Sequence, residues 1–379
     1  MSSQRSRNAW GITFTLLLLA APTLLLSGSS MRPTTAASVI SVNKTGSGLV
    51  TGDTLTTGGV SLWTFGGSAV VEGAPNKYYE DSAGLHLGVQ SVVGGQWAGY
   101  YAARGENAQL FHAILSLPSG TITASQNFNT GLYVQTGGSN VNYVTCAGGV
   151  NNVGYYWQVV QTTGNVNQAT TFNTLWFQWM NSQPLTRDCT IVTNGSNLLD
   201  VYLDGTLVYT SRSMNLGYQY PLTVFLEVQT TDNTAMHFSA YTDYYATSSD
   251  TVTVNGAPGG STVEIVGQSG NVLATTTAGL DGSAHLNIAQ YHMPLSANVE
   301  VLVMGVVVAS TPTTTSIYGG DVYSVGGLSG GGGGTAAPVG VYASNPVSSG
   351  TINPNVGQGV TSKVSGPNGG TICIAGLCL

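Results

Sequence analysis

Short runs of alternating apolar and polar residues, cut by Gly, Asn, Pro and Ser, fill the sequence from residue 60 to about residue 246. No stretch sustains the 3.6-residue spacing of an amphipathic helix. Residues 85–89, 97–102, 110–117, 131–135, 155–160, 175–180, 199–203 and 222–230 read as strands. Strands at this density, spaced by turn signals, predict an all-β sandwich or jelly roll. Within Leu203-Asp204-Gly205-Thr206-Leu207, the Asp-Gly pair predicts a tight hairpin. Residues 251–254, 262–266, 272–277, 284–288, 299–303 and 306–309 read as six further strands with Gly-rich turns. They suggest a smaller, immunoglobulin-like sandwich over 248–318.

The boundaries follow composition. Residues 31–59, rich in Ser, Thr and Gly, read as a linker or a first strand. The larger sandwich takes 60–247, a Gly-rich linker 319–334, and a Gly/Pro/Asn-rich tail 335–379. Residues 1–30 stand apart. Arg5 and Arg7 precede an almost unbroken apolar run over 9–26, followed by small residues. This is the layout of a secretory signal peptide. Left uncleaved, a run of about 18 residues also suffices for an N-terminal anchor. Pro22 and the Ser/Gly flank favour cleavage. The chain is therefore expected to be secreted or held at the cell surface, touching membrane only through an uncleaved leader.

Other features agree with export. Asn43-Lys44-Thr45 and Asn194-Gly195-Ser196 are acceptor tripeptides, so Asn43 and Asn194 are expected glycosylation sites. Cys146, Cys189, Cys373 and Cys378 form an even set suited to an oxidising compartment. Three pairings are open; joining Cys146 to Cys189 and Cys373 to Cys378 keeps each bridge local. Only 7% of the 379 residues are charged, against an ordinary share of about a quarter. With 42% hydrophobic residues the chain can bury a core, which excludes a disordered polymer. Nine Lys and Arg cannot build a phosphate-tracking surface, which excludes nucleic acid as partner. A fold resting on few carboxylate pairs also loses little in acid.

Alternation assigns faces, because successive strand side chains point to opposite sides. Leu222, Val224, Leu226 and Val228 oppose Thr223, Phe225, Glu227 and Gln229. Leu132 and Val134 oppose Tyr133 and Gln135; Tyr156 and Gln158 oppose Trp157 and Val159. Leu175, Phe177 and Trp179 oppose Trp176 and Gln178. Several strands thus show one face of rings interleaved with carboxamides or a carboxyl. Rings stack on the apolar faces of sugars or peptides, and amides hydrogen-bond hydroxyls. Tyr133, Gln135, Tyr156, Gln158, Trp176, Gln178 and Glu227 are the candidate ligand-binding residues.

Metal and nucleophile chemistry have no comparable signal. His86, His112, His237, His285 and His292 are scattered, with no pair at ligand spacing, and read as isolated surface or turn residues. Asp188, Asp200 and Asp204 read as turn residues rather than a calcium site, which wants a denser oxygen cluster. No Cys-x-x-Cys pair and no Gly-x-Ser-x-Gly elbow occurs. No metal and no cofactor are expected.

Two resemblances follow from particular residues. Ser61-Leu62-Trp63, Gly84-Leu85-His86-Leu87 and the hairpin from Asp200 to Tyr209 resemble a concanavalin A-like lectin/glucanase domain. That resemblance covers about half the chain and implies fold more than activity. Glucanases of this fold carry Glu-x-Asp-x-Glu on one strand, with two carboxylates about 5 Å apart for retention. Phe225-Leu226-Glu227-Val228-Gln229 offers a single carboxylate. The second resemblance is to the eqolisins, glutamic peptidases of the same sandwich architecture that activate water with a Glu and a Gln in acid. Gln96-Trp97-Ala98-Gly99-Tyr100, followed by Phe111 to Ser119, is similar to that family's opening. Tyr155-Tyr156-Trp157-Gln158 falls at its Trp-Tyr-Glu strand, with Gln158 in place of the Glu. The family's Gln-Thr-Gly stands here as Cys146-Ala147-Gly148, while Gln135-Thr136-Gly137 lies one strand earlier. This resemblance implies Glu227 as the catalytic carboxyl, with Gln158 or Gln135.

The leading expectation is non-catalytic binding of a glycan or another extracellular polymer. An acid peptidase and a structural role in an envelope or filament, self-associating through the tail, are the alternatives.

Overall fold

In the computed structural model, residues 39–326 are described apart from 68–75, 119–121, 123–125, 137–139, 166–170 and 181–184. Two short strands near the C-terminus, Cys373–Ile374 and Leu377–Cys378, are described in backbone only. The leader and the Gly-rich linker from 327 onward lie outside the described residues. Among those described, no helix is long and apolar enough to cross a membrane.

The strands run in chain order from β1 (Ile40–Gly46), β2 (Leu49–Asp53), β3 (Thr64–Gly66) and β4 (Asn76–Asp81). Then come β5 (Gly84–Val89), β6 (Ala98–Glu106), β7 (Leu110–Ser116) and β8 (Asn127–Gln135). β9 (Asn140–Asn151), β10 (Tyr155–Asn165), β11 (Thr171–Met180) and β12 (Thr186–Thr193) follow. β13 (Leu199–Leu203), β14 (Thr206–Ser211), β15 (Leu222–Thr230) and β16 (His237–Thr247) complete the larger unit. The smaller unit adds β17 (Thr251–Asn255), β18 (Thr262–Gly267), β19 (Val272–Thr277) and β20 (Ala284–Asn287). β21 (Leu295–Val303), β22 (Val306–Ser310), β23 (Thr315–Ile317) and β24 (Val322–Val325) end it.

The larger unit is a sandwich of two antiparallel sheets. One has the order β11-β10-β9-β8-β15-β6-β3; the other has β14-β13-β12-β7-β16-β5-β4, with β2 beside β16. Alternation puts Leu132, Val134, Val159, Val224 and Leu226 of the first sheet against Leu87, Phe111, Leu115, Ile191 and Val201 of the second. Cys146 on β9 and Cys189 on β12 form the expected bridge, stapling sheet to sheet with Cα atoms 6.1 Å apart. Closing 43 residues of chain in this way stabilises the fold by about 4 kcal/mol on chain-entropy grounds. Asp204 and Gly205 both take positive φ, 49° and 72°, the type I′ geometry that Asp-Gly favours between β13 and β14. Cys373 and Cys378 are opposed in the C-terminal ribbon.

The smaller unit carries a nine-stranded sheet, β19-β18-β21-β22-β1-β24-β17-β20 with β23 on β21. Two of its pairs, β1–β22 and β17–β24, are parallel. Its core gathers Val42, Val252, Val263, Ile265, Val299, Val301 and Tyr323, and takes in Leu110, Val192 and Tyr245 from the larger unit. Two expectations are corrected here. Residues 31–59 are not a plain linker, because 40–46 and 49–53 are strands of different sheets. Likewise 319–334 is not wholly linker, because Val322–Val325 pairs with β1 and β17.

Candidate functional site

The outward face of the β11-to-β3 sheet is where the residue pattern concentrates its chemistry. Cross-strand register lays it out in rows. One row runs Phe177, Gln158, Ala147, Gly131, Glu227, Tyr101, Gly66 from β11 to β3. The next runs Trp179, Tyr156, Gly149, Asn129, Gln229, Gly99. Tyr133 and Phe225 face each other one step further along, and Gln135 pairs with Tyr143 beyond them.

Glycines let the rings lie flat on this face. A Cβ on Gly149 would fall 2.3 Å from Tyr156 Cζ, and one on Gly131 would fall 2.6 Å from Tyr133 Cε2. The Tyr156 hydroxyl donates to Asn129 Oδ1 at 2.5 Å, tying its ring across Gly149. Glu227 sits on the central strand β15, 1% exposed. Gln229 Nε2 donates to its Oε1 at 3.0 Å, and Oε2 is buried without a hydrogen-bond partner. Burial pushes the Glu227 carboxyl up to about 8, against the opposing pull of the Gln229 amide. It is therefore neutral over the acid and most of the neutral range. The same burial pushes the Tyr101 phenol up to about 12, and the Tyr133, Tyr143 and Tyr156 phenols rise too. Among the described residues, Glu227 is the only acidic side chain on these rows, so the face is effectively uncharged.

At the edge of the sheet the face opens. Tyr156 stacks with Phe177 (centroids 5.4 Å, 27°) and meets Trp179 edge-on (5.6 Å, 77°); Phe177 and Trp179 are 5.1 Å apart at 81°. Trp179 is 40% exposed. Gln158, beside Phe177, keeps its Oε1 buried and without a hydrogen-bond partner.

The sequence-derived site thus divides. Tyr133, Gln135, Tyr156, Gln158 and Glu227 share the outward face. Trp176 and Gln178 do not: they pair with Val159 and Trp157, on the opposite side of β11, and Trp176 packs against the inter-sheet core. Phe177 and Trp179 occupy the positions the pattern had given to them. Both sides of β11 carry rings, so alternation alone could not choose. Within the face, Glu227 takes Gln229 as its carboxamide, not Gln158 or Gln135. Gln158 lies three strands away, about 14 Å between backbones.

The histidine and aspartate readings also change. His86 and His237 pair with Asp81 and Asp232 at 3.0 and 2.7 Å. Asp200 is a buried strand residue holding Arg212 through two contacts of 2.6 and 2.8 Å. Asp188 lies on β12 beside His112 and His292, so these two histidines are not isolated. Asn43 is exposed on β1, whereas the Asn194 oxygen accepts three backbone N–H groups of its own turn.

The larger unit is an antiparallel β-sandwich of two sheets. No family model matches the sequence, and no curated protein matches it. Among solved structures, the kappa-carrageenase from Pseudoalteromonas carrageenovora is similar at 10% identity and a TM-score of 0.34, over 57% of this chain and all of that one. The carbohydrate binding module CBM66 from Bacillus subtilis is similar at 7% and 0.29, over 48% and 92%. The carbohydrate recognition domain of Emp46p is similar at 11% and 0.32, over 51% and 94%. At these TM-scores the likenesses carry no argument, and the sandwich stands on its own strand order.

Proposed function

We propose that the chain is an exported β-sandwich protein that binds a glycan or a comparable extracellular polymer, without catalysis, at the edge of the β11-to-β3 sheet. The observation that carries this reading is the exposed Trp179 and half-buried Phe177, packed on the buried Tyr156 ring beside the unpaired Gln158 oxygen. Rings at differing tilts offer apolar surfaces to sugar faces, and a carboxamide supplies both a donor and an acceptor for a hydroxyl. The lack of charge on the face suits a neutral polymer. An apolar lining with a few placed polar groups is the usual composition of a ligand site. The test is retention of the full chain on immobilised polysaccharides of differing linkage. Trp179→Ala and Phe177→Ala are expected to weaken retention about tenfold each, near 1.4 kcal/mol. Passage of the parent through every matrix unretained overturns the reading.

The Glu227–Gln229 pair favours a second reading, an acid glutamic peptidase. A carboxyl and a carboxamide in hydrogen-bond contact are the groups such chemistry uses. Against it, a carboxyl that titrates near 8 is already protonated at pH 2–4 and supplies no base there. Casein digestion at pH 2–4 by the parent and by Glu227→Gln separates the two. Cleavage by the parent that vanishes in the variant replaces the binding reading with the catalytic one.

A further inference from the structure

His112, Asp188 and His292 come from three separate segments. His112 is on β7 and Asp188 on β12, adjacent strands of the larger unit. His292 is in the connection between β20 and β21 of the smaller unit. One ligand atom from each lies within 4.8 Å of the other two. Asp188 Oδ2 stands 3.9 Å from His112 Nε2 and 3.9 Å from His292 Nδ1, too far for direct hydrogen bonds.

The His112 ring is set up as a ligand. The residue is 1% exposed, and its Nε2 is buried with no hydrogen-bond partner. Its Nδ1 lies 3.1 Å from the Asp243 carbonyl oxygen. A carbonyl only accepts, so Nδ1 carries a proton, and in the neutral ring Nε2 then presents a lone pair toward Asp188 and His292. A backbone carbonyl on the far nitrogen is the usual orienting partner of a metal-bound imidazole. Tyr245 fixes the ring planes, stacking on His112 at 4.3 Å and 9° and meeting His292 edge-on at 5.8 Å. A buried lone pair with no donor is costly to keep.

We propose that His112, Asp188 and His292 bind a first-row divalent transition metal, of which zinc is the reference ion, and that the ion clamps the smaller β-unit to the larger one. Two imidazoles and a carboxylate are a nitrogen–oxygen donor set suited to such ions. Tetrahedral ligands about 2.0–2.1 Å from zinc stand roughly 3.3 Å from one another, so the three atoms close up by about 1 Å on binding. The half-exposed His292 side chain is the member free to make that movement. The solvent side of His292 leaves a position for water. The site lies on the sheet opposite the aromatic edge and is independent of what that edge binds.

Calorimetric titration of the untagged full chain with zinc chloride is expected to show saturable binding of one ion per chain. Zinc is also expected to raise the unfolding temperature, and EDTA to reverse the rise. His292→Ala alters an exposed residue, so its metal-free unfolding temperature should match the parent while zinc affinity falls at least tenfold. Asp188→Asn should lose affinity likewise, and His285→Ala should retain it. Absence of saturable uptake by the parent, or undiminished uptake by both His292→Ala and Asp188→Asn, overturns the proposal.

Discussion

At the scale of the residue, Glu227 decides the most. Its carboxyl is raised to about 8 in the folded protein, chiefly by burial, while the unfolded chain ionises near the ordinary value of 4.5. Below that ordinary value both states are protonated and the folded state keeps its full advantage. As pH climbs from 4.5 to 8 the unfolded chain releases a proton that the folded one retains, and stability falls; each unit of separation is worth about 1.4 kcal/mol. Glu227→Gln removes that slope while keeping the shape and an acceptor for Gln229. Thermal unfolding followed across a pH series should show parent and variant alike at pH 4 and the variant more stable at pH 9. Parallel curves at every pH would mean the carboxyl is not sealed. The sequence put Glu227 on the side of the strand opposite the core residues Leu226 and Val228, where the structure has it, because period-two alternation on β15 is unbroken. It could not say that Gln229 is the near carboxamide, since that depends on side-chain reach along β15 between neighbouring rows.

At the scale of the element, β11 separates a core role from a surface role. Trp176 packs toward the inter-sheet core, whereas Trp179 is 40% exposed at the sheet edge. Trp176→Ala should therefore lower the unfolding free energy by about 2–3 kcal/mol, the low side of a buried aromatic truncation, and leave polysaccharide retention intact. Trp179→Ala should do the reverse. Measuring both properties on both variants checks the assignment, and a Trp176→Ala protein that folds normally but fails to bind would return the site to the other side of β11. Strands were legible where alternation is regular: residues 222–230 and 199–203 coincide with β15 and β13. β9, β12 and β16 escaped notice for a physical reason. Gly148 and Gly149 blur the period in β9, and β12 and β16 bury residues on both sides because the smaller unit covers their outer face.

At the scale of the whole molecule, the chain threads the two units in an order that the sequence does not advertise. β1 precedes the larger sandwich but lies inside the smaller one, parallel to β22 and antiparallel to β24. Val42 on that strand is 1% exposed within the second core. The fully buried Asp321 carboxylate receives Lys44 Nζ at 2.6 Å, the Gly48 amide at 2.8 Å and the Tyr318 amide at 2.8 Å. Two of those three partners come from the segment around β1, more than 270 residues earlier, and partnership at that separation leaves no trace in local pattern. A chain beginning at Leu49 would leave the β22 and β24 edges unpaired and Asp321 buried without its cation. The smaller unit should then lose its cooperative unfolding transition in calorimetry. Lys44→Met is the graded form: removing one partner of a buried ion pair costs about 3 kcal/mol here, the low end because Lys44 is partly exposed. Full cooperativity in the shortened chain would show that β1 is an accessory strand, and would place the stability of the smaller unit in residues 248–326 alone.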